Sequence, residues 1–362
     1  MILLSKAPYE SDAIPRLRPW ESRAEQRTWV FHESLRQKNM LSIRFLASRS
    51  LSAGVRRYAT AAAPQKPSNL PFYLLGAGTA GAAGYYYLSA TEKAVVKQEK
   101  SPLDPENFKD FKLKRIEPYN HNTAKFIFEL PDNEASLLPI SSCVVVKSSD
   151  PDALKDPKSG KPIIRPYTPV SPSDAKGELA FIVKKYDSGN ASKYIHDLKE
   201  GDTLAIKGPI PKWPYKINEF DEVALIGGGS GITPLYQILE HALKDKTNKT
   251  RFKLIFANVT EADILLREEF DAMRKQHPDK LDVVYVLDKP PAGWQGPSGY
   301  VNAEVIKKHV APPTLNEKVK VFICGPPGQV AAIAGKKAGM KQGELGGILK
   351  ELGYTEDQVY KF

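Results

Sequence analysis

The stretch Glu222-Val-Ala-Leu-Ile-Gly-Gly-Gly-Ser-Gly-Ile-Thr-Pro234 sets the architecture of the second half of this 362-residue chain. Its first five residues predict a buried strand, and Pro234–Lys244 predicts a helix. A glycine-rich turn between a strand and a helix lets the backbone bend sharply and approach a phosphate group closely. Because Ile232 stands at the third glycine position of the usual dinucleotide pattern, the turn taken alone predicts only a tight strand-to-helix connection.

Further apolar runs in the second half of the chain predict strands, and a predicted helix at Leu266–Lys275 lies between two of them. The runs are Phe252–Ala257, Leu281–Leu287 and Val319–Cys324. Strands that alternate with helices form a parallel sheet with crossover helices, and such sheets bind ligands beyond the carboxyl ends of their strands. We therefore predict a parallel-sheet domain over residues 218–362.

Residues 108–211 follow a different pattern, because short apolar runs are separated by turn-forming residues. Six runs predict strands: Phe111–Ile116, Ala124–Leu130, Cys143–Lys147, Ile164–Thr168, Glu178–Tyr186 and Asp202–Lys207. Short strands in this succession indicate a small antiparallel six-stranded barrel. The proline-rich stretch Gly208–Pro214 is expected to be a hinge between the domains, and the charged residues 91–107 are expected to be a linker.

The first 91 residues differ from the rest in charge. They carry 12 Lys and Arg against 5 Asp and Glu, and no acidic residue stands between Ser34 and Thr91. An amphipathic, Arg- and Ser-rich segment without acids is typical of a mitochondrial presequence, which we predict at residues 40–66; a basic disordered tail is the alternative. Residues 1–39 hold all five acids and are interpreted as an unstructured or spurious extension, with Met40 as the working start.

Residues 67–91 are uncharged, and their centre is rich in Gly, Ala and Tyr. About 20 apolar residues span a bilayer core, and three consecutive tyrosines at 85–87 suit the aromatic belt at its surface. We predict a transmembrane anchor at residues 70–90, with a Gly/Ala-rich linker as the alternative. Behind a presequence, such an anchor predicts a protein of the mitochondrial outer membrane, with a processed form in the intermembrane space.

The composition excludes several functional classes. Two cysteines, Cys143 and Cys324, exclude a disulfide framework and a four-cysteine zinc module. No pair of histidines has the i, i+4 spacing with a Glu that metal hydrolases require, so no metal is expected. The net charge is +10, but residues 92–362 hold 40 basic against 37 acidic residues. A nucleic-acid-binding body is therefore not expected.

Two further motifs lie on either side of the glycine-rich turn. Arg165-Pro-Tyr-Thr-Pro169 offers a guanidinium, which can pair bidentately with a pyrophosphate, and an aromatic ring. Cys324-Gly-Pro-Pro327 follows the last predicted strand. Together the three motifs resemble those of the NADH–cytochrome b5 reductases, which are ferredoxin-NADP reductase-like flavoproteins, and the resemblance covers residues 108–362. The leader is similar to that of fungal-type mitochondrial members.

This resemblance implies an FAD-binding barrel at residues 108–211 and an NADH-binding domain at residues 218–362. The residues that it places on FAD are Arg165, Tyr167, Thr168, Ile182, Val183, Gly189, Ala191, Ser192 and Thr233. Those that it places on the NADH side are Gly228, Gly229, Ser230, Phe256, Asp288, Cys324, Gly325 and Pro326. Thr233, Lys184 and Cys324 are expected to take part in catalysis.

Asp288 follows the predicted strand Leu281–Leu287. A carboxylate at this place accepts a hydrogen bond from a ribose hydroxyl and repels a 2′-phosphate, which favours NADH over NADPH. The chain departs from the family at Gly328 and Gln329, where relatives often have Pro and Met.

The activity implied by the resemblance is hydride transfer from NADH to flavin, followed by single-electron transfer to cytochrome b5 or a similar acidic haem protein. One alternative keeps the reductase half and changes the acceptor to a ferredoxin, a quinone or an ascorbyl-type radical. The other alternative is a non-enzymatic, membrane-anchored scaffold on the same fold.

Overall fold

Residues 100–362 are described by a computed structural model of the protein, and they belong to one structural unit. The predicted extension (1–39), presequence (40–66) and anchor (70–90) lie outside the described residues, as does most of the linker. Within residues 100–362, no helix combines the length and the hydrophobicity that crossing a membrane requires.

The first sheet is antiparallel, with six strands in the order β4-β3-β6-β1-β2-β5. The strands are β1 (Lys109–Asn120), β2 (Thr123–Glu129), β3 (Ser142–Ser148), β4 (Arg165–Tyr167), β5 (Glu178–Lys184) and β6 (Thr203–Pro211), and helix α1 (Asn190–Asp197) lies between β5 and β6. The amide of Val170, beyond β4, donates to the carbonyl of Ala180 in β5 at 2.8 Å. The two outer strands therefore meet, and the predicted six-stranded antiparallel sheet is confirmed.

Strand β5 is buried on both of its faces. Phe181 and Val183 pack inside the antiparallel sheet, where Phe181 contacts Phe128 edge to face at 5.8 Å. Ala180 and Ile182 point the opposite way and pack against the second domain. Alternate residues of a strand face opposite sides, so one strand serves both cores. This double burial holds the end of β5 against the second domain.

Strand β6 extends further than the sequence predicted, into the stretch expected to be a hinge. Ile210 pairs with Cys143 of β3, and the register shifts between Cys143 and Val145, where two residues of β6 face one residue of β3. A bulge of this kind accommodates proline in a strand, because a ladder hydrogen bond is already lost there. The first four residues of the expected hinge are therefore part of the sheet.

The second sheet is parallel, with five strands in the order β11-β10-β7-β8-β9. The strands are β7 (Glu222–Gly228), β8 (Arg251–Asn258), β9 (Leu281–Leu287), β10 (Val319–Cys324) and β11 (Val359–Lys361). The helices are α2 (Ile232–Lys244), α3 (Arg267–Gln276), α4 (Ala303–His309), α5 (Pro327–Ala334) and α6 (Gly347–Glu351). The predicted parallel sheet is confirmed, with β11 as a strand that the sequence had not revealed.

Helices cover both faces of the parallel sheet. Buried residues of α2 and α3, such as Leu235 and Phe270, pack on one face, and those of α4, α5 and α6, such as Ile306, pack on the other. The first of these cores continues into Ile127 and Ile182 of the antiparallel sheet. The two domains therefore share one apolar core, which fixes β5 relative to the parallel strands.

Candidate active site

A cavity of about 550 Å³ lies where the carboxyl ends of the parallel strands face the end of β5. Its lining residues come from both domains and are Lys184, Tyr186, Gly229, Ala257, Asn258, Val259, Asp288, Tyr300, Val301, Pro326, Gly328, Gln329, Ala332 and Ile333. This is the edge at which open α/β sheets bind their ligands. Four of the predicted residues, Lys184, Gly229, Asp288 and Pro326, lie together in this cavity.

The glycine-rich turn and the loop after β10 are in direct contact beside the cavity. A Cβ atom added to Gly231 would lie 2.6 Å from the amide nitrogen of Gly325, and one added to Gly228 would lie 2.9 Å from Cδ of Pro326. Only glycine permits this approach of the two loops. Gly229 has φ +50°, and a Cβ there would meet nothing within 4 Å. Its backbone is thus open to the cavity, which fits a dinucleotide phosphate.

The Gln329 side chain takes part in this arrangement. Its Nε2 donates to the carbonyl of Gly227 at 3.2 Å, which ties α5 to the end of β7. Gln329 also lines the cavity. The residue at which the sequence departs from the expected pattern therefore places a polar amide on the cavity wall.

Asp288 stands directly beyond β9, and its backbone amide donates to the carbonyl of Asn258 at 3.0 Å. Partial burial raises the pKa of its carboxyl group, while the nearby Lys289 acts in the opposite direction. A carboxylate on the cavity wall can accept hydrogen bonds from ribose hydroxyls and repels a second phosphate. Its placement agrees with the predicted role.

Lys184 is held at the cavity by an ion pair between the domains. Its Nζ lies 2.9 Å from Oδ1 of Asp263, a buried residue in the turn after β8. The second carboxylate oxygen, Oδ2, accepts from the amide and the hydroxyl of Thr260, at 3.1 and 2.7 Å. Burial opposes ionisation of Asp263, but the hydrogen bonds from Lys184 and Thr260 lower its pKa overall. Asp263 is therefore ionised at neutral pH and fixes the ammonium of Lys184.

The other two predicted catalytic residues lie beside the cavity and do not line it. Thr233 is buried in the first turn of α2, and its hydroxyl is 3.5 Å from the carbonyl of Ser230. The hydroxyl of Ser230 shares a 2.7 Å hydrogen bond with that of Tyr186 across the domain boundary. Burial raises the pKa of the Cys324 thiol to about 12. Cys324 is therefore a neutral thiol at physiological pH, so a part in catalysis would not involve its thiolate.

The residues predicted to hold FAD phosphates lie around the start of α1. Gly189 is the N-cap of this helix and offers no side-chain cap, so backbone N–H groups of the first turn are open to an anion. Ala191, in that turn, packs on Ile163, two residues from the exposed Arg165. The exposed guanidinium of Arg165 donates to the carbonyl of Ile164 at 2.9 Å. An exposed guanidinium and an uncapped helix N-terminus are each suited to a pyrophosphate. The hydroxyl of Ser192 accepts from the amide of Tyr186 at 3.1 Å and closes the loop before the helix.

Tyr167 and Thr168 follow Arg165 and are half-buried. Burial raises the pKa of Tyr167 to about 12, and its ring contacts Phe181 edge to face at 6.1 Å. The phenol is therefore neutral, and a supported ring of this kind fits the side of a flavin.

Three predicted cofactor-binding residues are core residues in this structure. Phe256 is fully buried among Phe270 and Tyr285 and does not line the cavity. Val183 packs inside the antiparallel sheet, and its carbonyl accepts a hydrogen bond from Nε2 of His196 at 2.8 Å. Ile182 belongs to the core that the two domains share. In this structure these side chains serve packing.

Sequence reasoning missed Asn258, Asp263 and Tyr300. Asn258 ends β8, so its position at the carboxyl edge of the sheet was the available signal. Thr260 and Asp263 form a capping box around a short 3₁₀ turn, which is readable from a Thr followed three residues later by an acid. Tyr300 is 82% exposed, and only the fold places its ring at the cavity.

Comparison with known proteins agrees with this geometry. Residues 110–215 match the oxidoreductase FAD-binding domain family, and residues 225–334 match the oxidoreductase NAD-binding domain family. The NADH-cytochrome b5 reductase 2 of Mycosarcoma maydis is 45% identical over 334 residues, which cover 87% of this chain and 95% of that protein. The NADH-cytochrome b5 reductase 2 of Coccidioides immitis is 43% identical, with 88% and 98% covered.

Solved structures give the same result. The cytochrome b5 reductase domain of Ulva prolifera nitrate reductase superposes with a TM-score of 0.63 at 26% identity, covering 73% of this chain and all of that domain. The CS-b5R domains of human Ncb5or give a TM-score of 0.54 at 27% identity, covering 70% and 69%. The chain therefore belongs to the NADH-cytochrome b5 reductase family, flavoproteins with an FAD-binding domain followed by an NAD-binding domain.

Proposed function

We propose that the protein takes a hydride from NADH onto bound FAD and passes electrons one at a time to cytochrome b5. The cavity between Lys184 and the glycine-rich turn carries this proposal, because it joins a dinucleotide cradle to the flavin-side strand β5. When bound, FAD supplies the conversion of a two-electron donor into two one-electron steps. The acceptor is inferred from the names of the fungal relatives, which are cytochrome b5 reductases.

The residues of this chain bind and orient the two cofactors. Arg165 and the open N-terminus of α1 would hold the FAD pyrophosphate, and the open backbone of Gly229 would receive a dinucleotide phosphate. Asp288 would accept a hydrogen bond from a ribose hydroxyl. These contacts fix two reactants in one geometry, and orientation of this kind is a major source of rate in bimolecular reactions.

Lys184 and the shared core complete the site. The ammonium of Lys184, directed by Asp263, attracts the anionic dinucleotide toward the boundary between the domains. Apolar side chains such as Val301 and Ile333 line part of the cavity and limit the entry of water. The half-buried Cys324 keeps its thiol proton at neutral pH, so no thiolate forms beside the cavity.

The acceptor is tested with the purified full chain, NADH and a panel of acceptors of equal concentration. The proposal predicts rapid reduction of cytochrome b5, followed at its haem bands, and slow reduction of ferredoxin, quinone and ascorbyl radical. A faster rate with any of these three acceptors than with cytochrome b5 would move the function to that acceptor and leave the NADH half unchanged.

We further propose that residues 40–66 direct the chain to mitochondria and that residues 70–90 anchor it in the outer membrane. The acid-free, Arg- and Ser-rich composition and the uncharged segment after it support this. The alignment with the Mycosarcoma maydis relative covers 87% of this chain, which is more than residues 100–362 contain. That relative therefore shares part of the leader.

Fractionated mitochondria test the location. The proposal predicts a membrane-bound form in the outer membrane and a shorter, soluble form in the intermembrane space. A variant that lacks residues 40–66 should lose import and remain in the cytosol. Mitochondrial import of that variant, or a single processed species in wild-type mitochondria, would contradict the proposed presequence or the two-form distribution, respectively.

A further inference from the structure

Asn258 carries a buried side-chain amide without a partner. The residue ends β8 and is 6% exposed, and neither Oδ1 nor Nδ2 has a hydrogen-bond partner in the structure. Its backbone carbonyl, in contrast, has a partner, because it accepts a hydrogen bond from the backbone amide of Asp288. Buried polar groups in folded proteins are almost always hydrogen-bonded, so an amide with two unsatisfied atoms needs an explanation.

The explanation lies in where the amide stands. Asn258 lines the same cavity as Asp288 and Gly229, at the carboxyl edge of the parallel sheet. A polar group left without a partner inside a protein is destabilising, because it has given up its hydrogen bonds to water. Such a group persists where a ligand supplies the missing partner. We propose that Asn258 is a dinucleotide-binding residue whose carboxamide donates to and accepts from NADH, an inference that rests on the proposed function.

The chemistry of the cavity narrows what the amide recognises. An amide offers one acceptor and one donor group side by side, and it carries no charge. Within residues 100–362, no group of His, Cys, Asp or Glu could hold a metal ion. The matching partner is a neutral polar group that both donates and accepts. NADH offers three such groups: a ribose hydroxyl pair, the adenine edge with its amino group and ring nitrogen, and the nicotinamide carboxamide.

The test replaces Asn258 by Leu in the full chain with FAD bound, and measures NAD⁺ binding by calorimetry and the melting temperature without NAD⁺. Removal of the amide should weaken NAD⁺ binding by about 10- to 100-fold. The melting temperature without NAD⁺ should stay the same or rise, because an unsatisfied buried group has been removed. A residue needed only for packing would lower the melting temperature and leave the affinity unchanged.

Ser142 provides a matched control. Its hydroxyl in β3 is also buried and without a partner, but it lies outside the cavity. Ser142→Ala should leave the NAD⁺ affinity unchanged. If leucine disturbs the fold, which loss of the flavin spectrum would reveal, Asn258→Ala gives the same comparison with a smaller side chain.

The outcomes separate this inference from the proposed function. Wild-type protein that fails to bind NAD⁺ would overturn the function itself. Wild-type protein that binds, with an Asn258→Leu affinity within twofold of it, would overturn the inference alone and assign the amide to a buried water. ADP-ribose identifies the contacted group: equal losses for ADP-ribose and NAD⁺ place the contact on the ADP-ribose half, and a loss confined to NAD⁺ places it on the nicotinamide half.

Discussion

Replacing Asp263 by Asn tests how Lys184 is held at the active site. The carboxylate divides its oxygens, with Oδ1 on Lys184 at 2.9 Å and Oδ2 on Thr260. An asparagine can keep its carbonyl on Thr260, so the capped turn remains. It then presents an amide N–H to Lys184 and removes the acceptor for the ammonium. The substitution therefore separates the ion pair from the local turn.

The size of the effect follows from the burial of the pair. The side chain of Asp263 is 7% exposed and that of Lys184 is 16% exposed. Removing one partner of a buried ion pair costs about 3–5 kcal/mol, and losing a hydrogen bond to a charged group costs about 1.5–3 kcal/mol. Because Lys184 borders an open cavity, its ammonium can turn toward water. We therefore expect a loss of about 2 kcal/mol in the free energy of unfolding, which lies within the range for a lost hydrogen bond to a charged group.

The functional effect separates positioning from stability. An unanchored Lys184 loses its fixed place at the cavity, so KM for NADH should rise about tenfold, which corresponds to about 1.4 kcal/mol. The turnover number should change much less, because Asp263 itself does not line the cavity. Steady-state kinetics and urea unfolding of the same preparations measure both effects.

The matched control is Asp282→Asn, which breaks the exposed pair between Lys253 and Asp282 at 3.2 Å. Exposed pairs contribute about 0–1 kcal/mol, so this variant should keep both stability and KM. An Asp263→Asn protein that loses stability while its KM for NADH stays at the wild-type value would refute the positioning role.

The pH dependence of the same pair has a definite sign. The pKa of Asp263 is lowered in the folded protein, so its stabilising contribution is complete above the unfolded value of about 4 and is lost as pH falls through the lower folded value. The stability difference between wild type and Asp263→Asn should therefore be constant near neutral pH and shrink below about pH 4.

Three further substitutions test other parts of the account. Arg165→Ala should weaken FAD retention by about 10- to 100-fold, measured as flavin content after dialysis, and full occupancy would remove its phosphate role. Asp288→Thr should reduce the preference for NADH over NADPH by about tenfold or more, and an unchanged ratio of kcat/KM values would remove that assignment. Lys320 is buried over the ring of Trp213, and burial lowers its pKa to about 8. The stability of wild type relative to Lys320→Met should therefore rise by about 3 kcal/mol between about pH 8 and 10.5, and a flat difference in urea unfolding would count against it.

The strands that form the site were largely predictable, because a buried strand appears in the sequence as a continuous apolar run. Strand β7 is buried from Val223 to Gly228, and the glycine-rich turn directly after it marks the edge where ligands bind. Strand β11 could not be found in the same way, since it has only three residues, Val359–Lys361, and the last of them is charged. Lys361 in that strand is buried, and its Nζ donates to the carbonyl of Glu344 at 2.9 Å, which no local pattern reveals.

Some site residues were predictable from a local sequence pattern, and others were not. Asp288 and Gly229 were predictable because each stands directly after a strand of the parallel sheet. Asp263 was not, because its role depends on Lys184, 79 positions earlier in the chain. Phe256 was expected at the NADH surface, yet it is fully buried in the core. Its side chain points from β8 toward the layer of α2 and α3. Periodicity identifies elements, but pairings between domains depend on how the elements dock.

The most direct measurement is the visible spectrum of the purified full chain before and after anaerobic addition of NADH. The account predicts a bound flavin absorbance that bleaches on addition of NADH and returns when oxidised cytochrome b5 is added. A colourless protein that cannot be reconstituted with FAD, or a flavin absorbance that NADH leaves unchanged, would contradict the proposed electron path from NADH through FAD.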